Sequence, residues 1–337
     1  GYYGLAILDF NKAIKIDPNE KTVYVHRGSA YSAQGKHELA IADFTKAIEI
    51  DPGYRDAYLW RGNEYTVQKN YGLSILDYEK ALTLDSYHPD PHLQLAATYA
   101  AQDKFDLAIA EYSIAIELAP DNIRAYVNRA SVYIETGKFD LAVLDASEAI
   151  KINPNDPYIK VAYLNLGNAF YGQKSFDLAV LNATKAIAID SNYKDAYLNR
   201  GQAYFMLKQY DLAISDATTA IKIDPSYDIA YMNRGNAYRE QGNNKLAIAD
   251  YTKALKINPN LVNAYINRGG VYIPQGKYDL AVSDLNKALE IDPDNTKAFV
   301  NRCYAYIMLE DYDLAIDDCT KAIENDPEYT GSYLNRS

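Results

Sequence analysis

Tyrosine, glycine and tyrosine recur along the chain at i, i+4 and i+7, and alanines seven residues apart follow nine residues later. The whole pattern returns every 34 residues: "YLNRGQAY" at 197–204, "YMNRGNAY" at 231–238, "YINRGGVY" at 265–272. The octet is taken to begin at position 4 of the repeat. Positions 4, 7, 8 and 11 (Tyr197, Arg200, Gly201 and Tyr204 in one copy) then share one face of a helix. A glycine or polar break near position 15 (Gly35, Gly137, Gly276) suits a helix C-terminus. A second run has Ala at 20 and 27 and an aliphatic residue at 21 and 28, as in Ala213, Ile214, Ala220 and Ile221. Asp-Pro or Asn-Pro at 31–32 (Asp224-Pro225, Asn258-Pro259) ends one helix and can open the next. Each copy therefore predicts two helices.

Full copies occupy 21–54, 55–88, 89–122, 123–156, 160–193, 194–227, 228–261, 262–295 and 296–329. Residues 1–20 match only a second half and 330–337 only a beginning, so the expectation is a piece of a longer array. Two places break the rule. The fifth copy starts three residues late, after "NPNDPYIK" (153–160), which predicts that Asp156 caps and Pro157 opens a helix about one turn longer than the rest. Pro274, inside a first helix, predicts a kink or an early end.

Repeats of 20–50 residues signify a solenoid. Small residues at 8, 20 and 27 let two helix backbones approach, and Tyr at 4 and 11 fills the space around them. The 33 tyrosines are on this reading packing residues more than a binding surface. Tyr at 4, Gly at 8, Tyr at 11, Ala at 20, an aromatic or small residue at 24, Ala at 27 and Pro at 32 resemble the tetratricopeptide repeat over essentially the whole chain. The resemblance implies an all-α, right-handed superhelical solenoid of antiparallel helix pairs, one domain over 1–337, with first helices lining the concave side. It leaves function open, because one fold hosts many functions.

Position 7, usually apolar in that family, is Arg27, Arg61, Arg129, Arg200, Arg234, Arg268 and Arg302 in seven copies. The same copies carry Asp at 23: Asp43, Asp77, Asp145, Asp216, Asp250, Asp284 and Asp318. Where Arg is replaced (Leu95, Leu166) the Asp is replaced too (Glu111, Asn182). A half-buried guanidinium needs a partner, so this pattern predicts a repeated bridge between the two helices of a copy. Exposed charges that coincide by chance are the alternative.

Position 6 is Asn128, Asn165, Asn199, Asn233, Asn267, Asn301 and Asn335 in unbroken succession. Mid-helix Asn is mildly unfavourable, so the row needs an account. A carboxamide donates and accepts at once and can hold the backbone of an extended peptide whatever its side chains. The row resembles the asparagine ladders of other superhelical repeat proteins. The competing account has each Asn bonding to a neighbouring helix. Positions 5, 9, 12 and 13 share the face and add Asn168, Asn236, Tyr171, Phe205 and Met206 as candidate peptide contacts. Position 5 is always apolar, without the Lys that chaperone-binding members of the family use to clamp a C-terminal carboxylate, so an acidic C-terminal peptide is not the expected ligand.

A formal charge of −11 argues against nucleic acid and against an anionic membrane surface. No apolar run approaches the roughly 18 residues of a membrane span. The four histidines (His26, His37, His88, His92) show no metal-ligand spacing, and no phosphate loop or nucleophile–base pair occurs, so neither catalysis, a cofactor nor a metal is expected. Cys303 and Cys319 occupy core positions 8 and 24 and are expected as buried thiols, with a disulfide as the alternative because those positions face each other. The function this reading favours is a protein-interaction scaffold holding an extended or helical peptide in its concave groove. Its rivals are a structural protein self-associating through solenoid ends or outer face, and the targeting arm of an enzyme whose catalytic domain lies elsewhere.

Overall fold

The computed structural model describes residues 2–328, and the beginning of a further copy at 330–337 lies outside them. Helix follows helix, with no strand among the described residues. They divide at Gly172/Gln173, inside the fifth copy, into two units.

In the first unit the second helices are α1 (Tyr2–Ile16), α3 (His37–Ile50), α5 (Tyr71–Leu84), α7 (Phe105–Leu118) and α9 (Phe139–Ile152). They alternate with first helices α2 (Lys21–Ser32), α4 (Arg55–Val67), α6 (Pro89–Ala100), α8 (Ile123–Glu135) and α10 (Ile159–Gly172). The second unit has α11 (Phe176–Ile189), α13 (Tyr210–Ile223), α15 (Asn244–Ile257), α17 (Tyr278–Ile291) and α19 (Tyr312–Asn325) as second helices. Its first helices are α12 (Lys194–Met206), α14 (Asp228–Glu240), α16 (Val262–Tyr272) and α18 (Thr296–Met308). Within each unit every helix packs on its neighbours in sequence.

The small residues do what the period requires. Ala40, Ala47, Ala247 and Ala254 are wholly buried, as are their counterparts in most copies. A Cβ on Gly62 would lie 2.6 Å from the ring of Tyr78, and one on Gly235 2.8 Å from that of Tyr251, so glycine at 8 makes room for an aromatic at 24. Position 15 adopts a left-handed backbone in all nine copies, in Gly35, Gly137, Gly242 and Gly276 and also in Lys69, Asp103, Lys174, Lys208 and Glu310. The turn geometry is thus imposed by the packed helices even where the residue type disfavours it.

Both irregular places resolve physically. After Tyr272 the helix gives way to a 3₁₀ turn over Ile273–Gln275, ended by Gly276 at φ 71°, so Pro274 shortens its helix as expected. In the fifth copy Asp156 accepts the Tyr158 backbone N–H at its Oδ1 (2.7 Å), but the helix opens at Ile159 and not at Pro157. The extra residues are absorbed mostly in a turn, and the helix gains about one residue where a full turn was expected.

Candidate functional site

Every expected Arg–Asp pair is present. In each, Nε donates to one carboxylate oxygen and Nη2 to the other, for example at 2.8 and 2.7 Å from Arg61 to Asp77 and at 2.7 and 2.8 Å from Arg129 to Asp145. Arg27, Arg200, Arg234, Arg268 and Arg302 repeat the fork. The guanidinium also lies between the rings at 4 and 11, with Tyr197 and Tyr204 5.5 and 5.9 Å from that of Arg200. Its hydrogen bonds to Asp216 hold Arg200 above the usual guanidinium pKa, against the opposing effect of burial.

The third donor was not foreseen. Nη1 crosses to position 25 of the preceding copy: to Thr45 from Arg61 (3.1 Å), Ser113 from Arg129 (2.7 Å) and Thr252 from Arg268 (2.8 Å). Each arginine therefore joins two helices of its own copy to one of the copy before. The signal was available, since position 25 is Thr, Ser or Asn ahead of every arginine and Glu79 ahead of Leu95. In that exceptional third copy Glu111 is not left alone, because His92 Nδ1 lies 2.6 Å from its Oε2.

The asparagine row differs from expectation. Exposed carboxamides were expected, yet none of the described ones is exposed: Asn165 and Asn199 retain only 4 % and 3 % of their surface, and Asn128, Asn233, Asn267 and Asn301 are half-buried. Asn165 Nδ2 donates to the Val127 carbonyl (2.8 Å) and to Ser131 Oγ (3.0 Å), both on the preceding first helix. Asn267 Nδ2 donates to Asn236 Oδ1 (2.9 Å), which Tyr251 also reaches (2.8 Å). Asn128 Oδ1 accepts the Tyr158 hydroxyl at 3.0 Å. The physical reason is inter-copy rotation, which turns position 6 over positions 5 and 9 of the preceding first helix. Asn165 and Asn199 are therefore corrected from groove-facing to packed residues. Asn233 is different: its Nδ2 is buried with no hydrogen-bond partner. Asn335 lies outside the described residues.

The apolar positions divide as well. Val25, Leu59, Leu93, Val127, Ile266 and Val300 at position 5 are buried between helices, while Leu164, Leu198 and Met232 stay half-exposed. Tyr171 and Phe205 are half-buried, Phe205 against the Tyr210 ring at 5.5 Å, Asn168 is half-buried, and Met206 is 46 % exposed.

The cysteines are corrected too. Cys303 and Cys319 form a disulfide, their Cα atoms 5.6 Å apart, because the close approach that selects glycine or alanine at 8 also suits a bridge. The histidines sit apart: His37 Nδ1 is 2.7 Å from Glu64 Oε2, and His26 stacks on Phe10. Among the described residues no group of three metal-ligating side chains occurs, and no helix is long and apolar enough to cross a membrane.

Tandem antiparallel helix pairs with this residue frame define an all-α repeat solenoid. Tetratricopeptide repeat models match residues 22–54, 195–227, 229–261, 262–295 and 296–329, a second such model 93–157, and a third 56–88. The chain belongs to the tetratricopeptide repeat family, a fold typical of non-catalytic protein-interaction scaffolds. No curated protein matches it in sequence. Among solved structures it is similar to a tetratricopeptide repeat protein from Parabacteroides merdae ATCC 43184 (16% identity, TM-score 0.61, 75% of this chain and 98% of that one). It is also similar to Cut9-Hcn1 of the APC/C (15%, 0.56, 99% and 86%) and to yeast Tom70 (16%, 0.54, 99% and 84%). At such identities the likeness is one of fold.

Proposed function

We propose that this scaffold binds an extended peptide segment across the first helices of its second unit, gripping the peptide backbone through Asn233 and Asn301. Phe205 and Met206 supply apolar contact beside them. The observation that carries the reading is Asn233, whose buried Nδ2 lacks a partner in a half-exposed side chain. An unmet donor is costly, and turning the amide about its last side-chain bond presents it to a carbonyl without breaking any bond that it makes. Asn267 contributes less, its donor being engaged by Asn236. Asn128, Asn168 and Tyr171 of the first unit stand apart as candidate contacts of a peptide bound to that unit, and the packed Asn165 is not one of them.

The test is selection from a displayed library of random peptides against the 337-residue chain. Peptides so selected should bind the Asn233→Ala, Asn301→Ala variant at least about fivefold more weakly, two neutral hydrogen bonds being worth roughly 0.5–1.5 kcal/mol each. Unchanged binding by the variant, or failure to select any peptide, would refute the mechanism.

A further inference from the structure

Position 19 is leucine in every full copy, and each of these leucines remains between 41 and 50 % exposed. A single exposed leucine is ordinary; nine in register on successive second helices, one per 34 residues, are not. Core packing does not explain them, since the alanines at 20 and 27 next to them carry the contact with the first helix.

In the second unit the leucines are Leu178, Leu212, Leu246, Leu280 and Leu314. Beside them at position 18, in the first turn of four of the five helices, stand the exposed acids Asp177, Asp211, Asp279 and Asp313, with Lys245 in that place on α15. Two turns on, at position 26, stand the exposed cations Lys185, Lys253, Lys287 and Lys321, with Thr219 in that place on α13. Between them position 22 is small in the middle of the unit: Ser215, Ala249 and Ser283. The helix dipole accounts for acids in first turns and bases late in a helix, but it does not call for the leucine.

We infer that this second-helix face of the second unit docks against the same face of a second copy of the chain, with facing helices antiparallel about a twofold axis. Reversal brings the acids at 18 of one copy to the lysines at 26 of the other, so the charges are self-complementary, as an isologous contact requires, on α11, α17 and α19, which carry both; α13 has Thr219 at 26 and α15 has lysine at both places. In the middle of the unit Leu212, Leu246 and Leu280 then cover the small residues at 22, with the aliphatic stems of Lys253 and Lys287 beside them. The helix-to-helix spacing selects the partner: a row of side chains recurring once per copy is matched along its length by a surface with the same rise, which this chain itself provides. The face is built from second helices, apart from the first-helix residues proposed for peptide binding, so the two ideas fail independently.

The experiment is sedimentation equilibrium of the full chain over a wide concentration range, at moderate ionic strength so that the net charge of −11 is screened. The mass should climb from monomer toward dimer. Leu212→Gln, Leu246→Gln, Leu280→Gln together should raise the dissociation constant at least about tenfold with an unchanged circular dichroism spectrum. Should that variant fold poorly, charge reversal decides: Lys253→Glu, Lys287→Glu and Asp211→Lys, Asp279→Lys should each weaken association alone and restore it when mixed. A chain that stays monomeric overturns the inference. So does a triple variant that associates like the parent, which would place the contact at the solenoid ends, and so does a charge-swapped mixture that fails to recover.

Discussion

Arg234 and Asp250 meet as a fork, Nε to Oδ2 and Nη2 to Oδ1 at 2.8 Å each, while Nη1 of the same guanidinium reaches Thr218 of the preceding copy at 3.1 Å. The carboxylate is buried and the guanidinium nearly so. Removing one member of a buried pair strands the other, at a cost of roughly 3–5 kcal/mol, whereas replacing both can be nearly neutral. Arg234→Leu should therefore lower the melting temperature substantially, and adding Asp250→Asn should recover much of the loss. Thr218→Val should cost about 1 kcal/mol, since it removes the bond between copies while sparing the fork. Additive losses for Arg234→Leu and Asp250→Asn would show that the fork contributes no coupling.

The helix pairs, the early end at Pro274 and the forks were legible in the sequence because each arises from residues within one copy. Paired loss of Arg and Asp in the third and fifth copies marks the fork in the sequence itself. The fate of the asparagines was hidden, because it depends on how far one copy rotates on the next, and a 34-residue period does not encode that angle. The same rotation hid the reach of Nη1 to position 25, although the Thr, Ser and Asn there were in plain view. Copy five taught a smaller lesson: three extra residues can be absorbed as a turn as readily as by a longer helix.

Burial raises the pKa of Tyr78 to about 12, and that of Tyr251, also through burial, higher still. The unfolded chain ionises its tyrosines near pH 10, while these two hold their protons in the folded state. Between those limits the unfolded state binds fewer protons, so stability is fully present below about pH 10 and declines as pH rises toward the folded values. Melting temperature should fall steeply above about pH 10, with tyrosinate absorbance appearing together with loss of helix. Tyr78→Phe with Tyr251→Phe should flatten that slope. Tyrosinate absorbance that rises fully while the helices persist would contradict it.

The Cys303–Cys319 bridge closes a loop 16 residues apart in sequence between α18 and α19. Constraint of the unfolded chain by such a loop stabilises by about 3 kcal/mol. Reduction should therefore loosen the last copy, seen as faster hydrogen exchange over α18 and α19 with little change in the first unit. Cys303→Ala with Cys319→Ala should place the protein at the reduced level and remove its response to reductant, since Ala130 and Ala146 already occupy those positions in the fourth copy. Exchange that ignores reductant in the parent chain would mean the bridge does not constrain this copy.

The asparagines separate into two kinds, and one substitution distinguishes them. Asn165 is buried and its donor holds the Val127 carbonyl and Ser131, so Asn165→Ala removes bonds between copies. Each is worth about 1 kcal/mol, and the cavity adds to the loss. Asn233 is half-buried with an unbonded Nδ2. Asn233→Ala deletes an unmet donor and installs the best helix former, so its melting temperature should hold or rise slightly. Stability should thus drop in the first variant and not in the second, while peptide affinity should drop in the second with the fold intact. Equal destabilisation by both would mean that Asn233 is a packing residue like Asn165, and the row would then serve only to lock one copy onto the next.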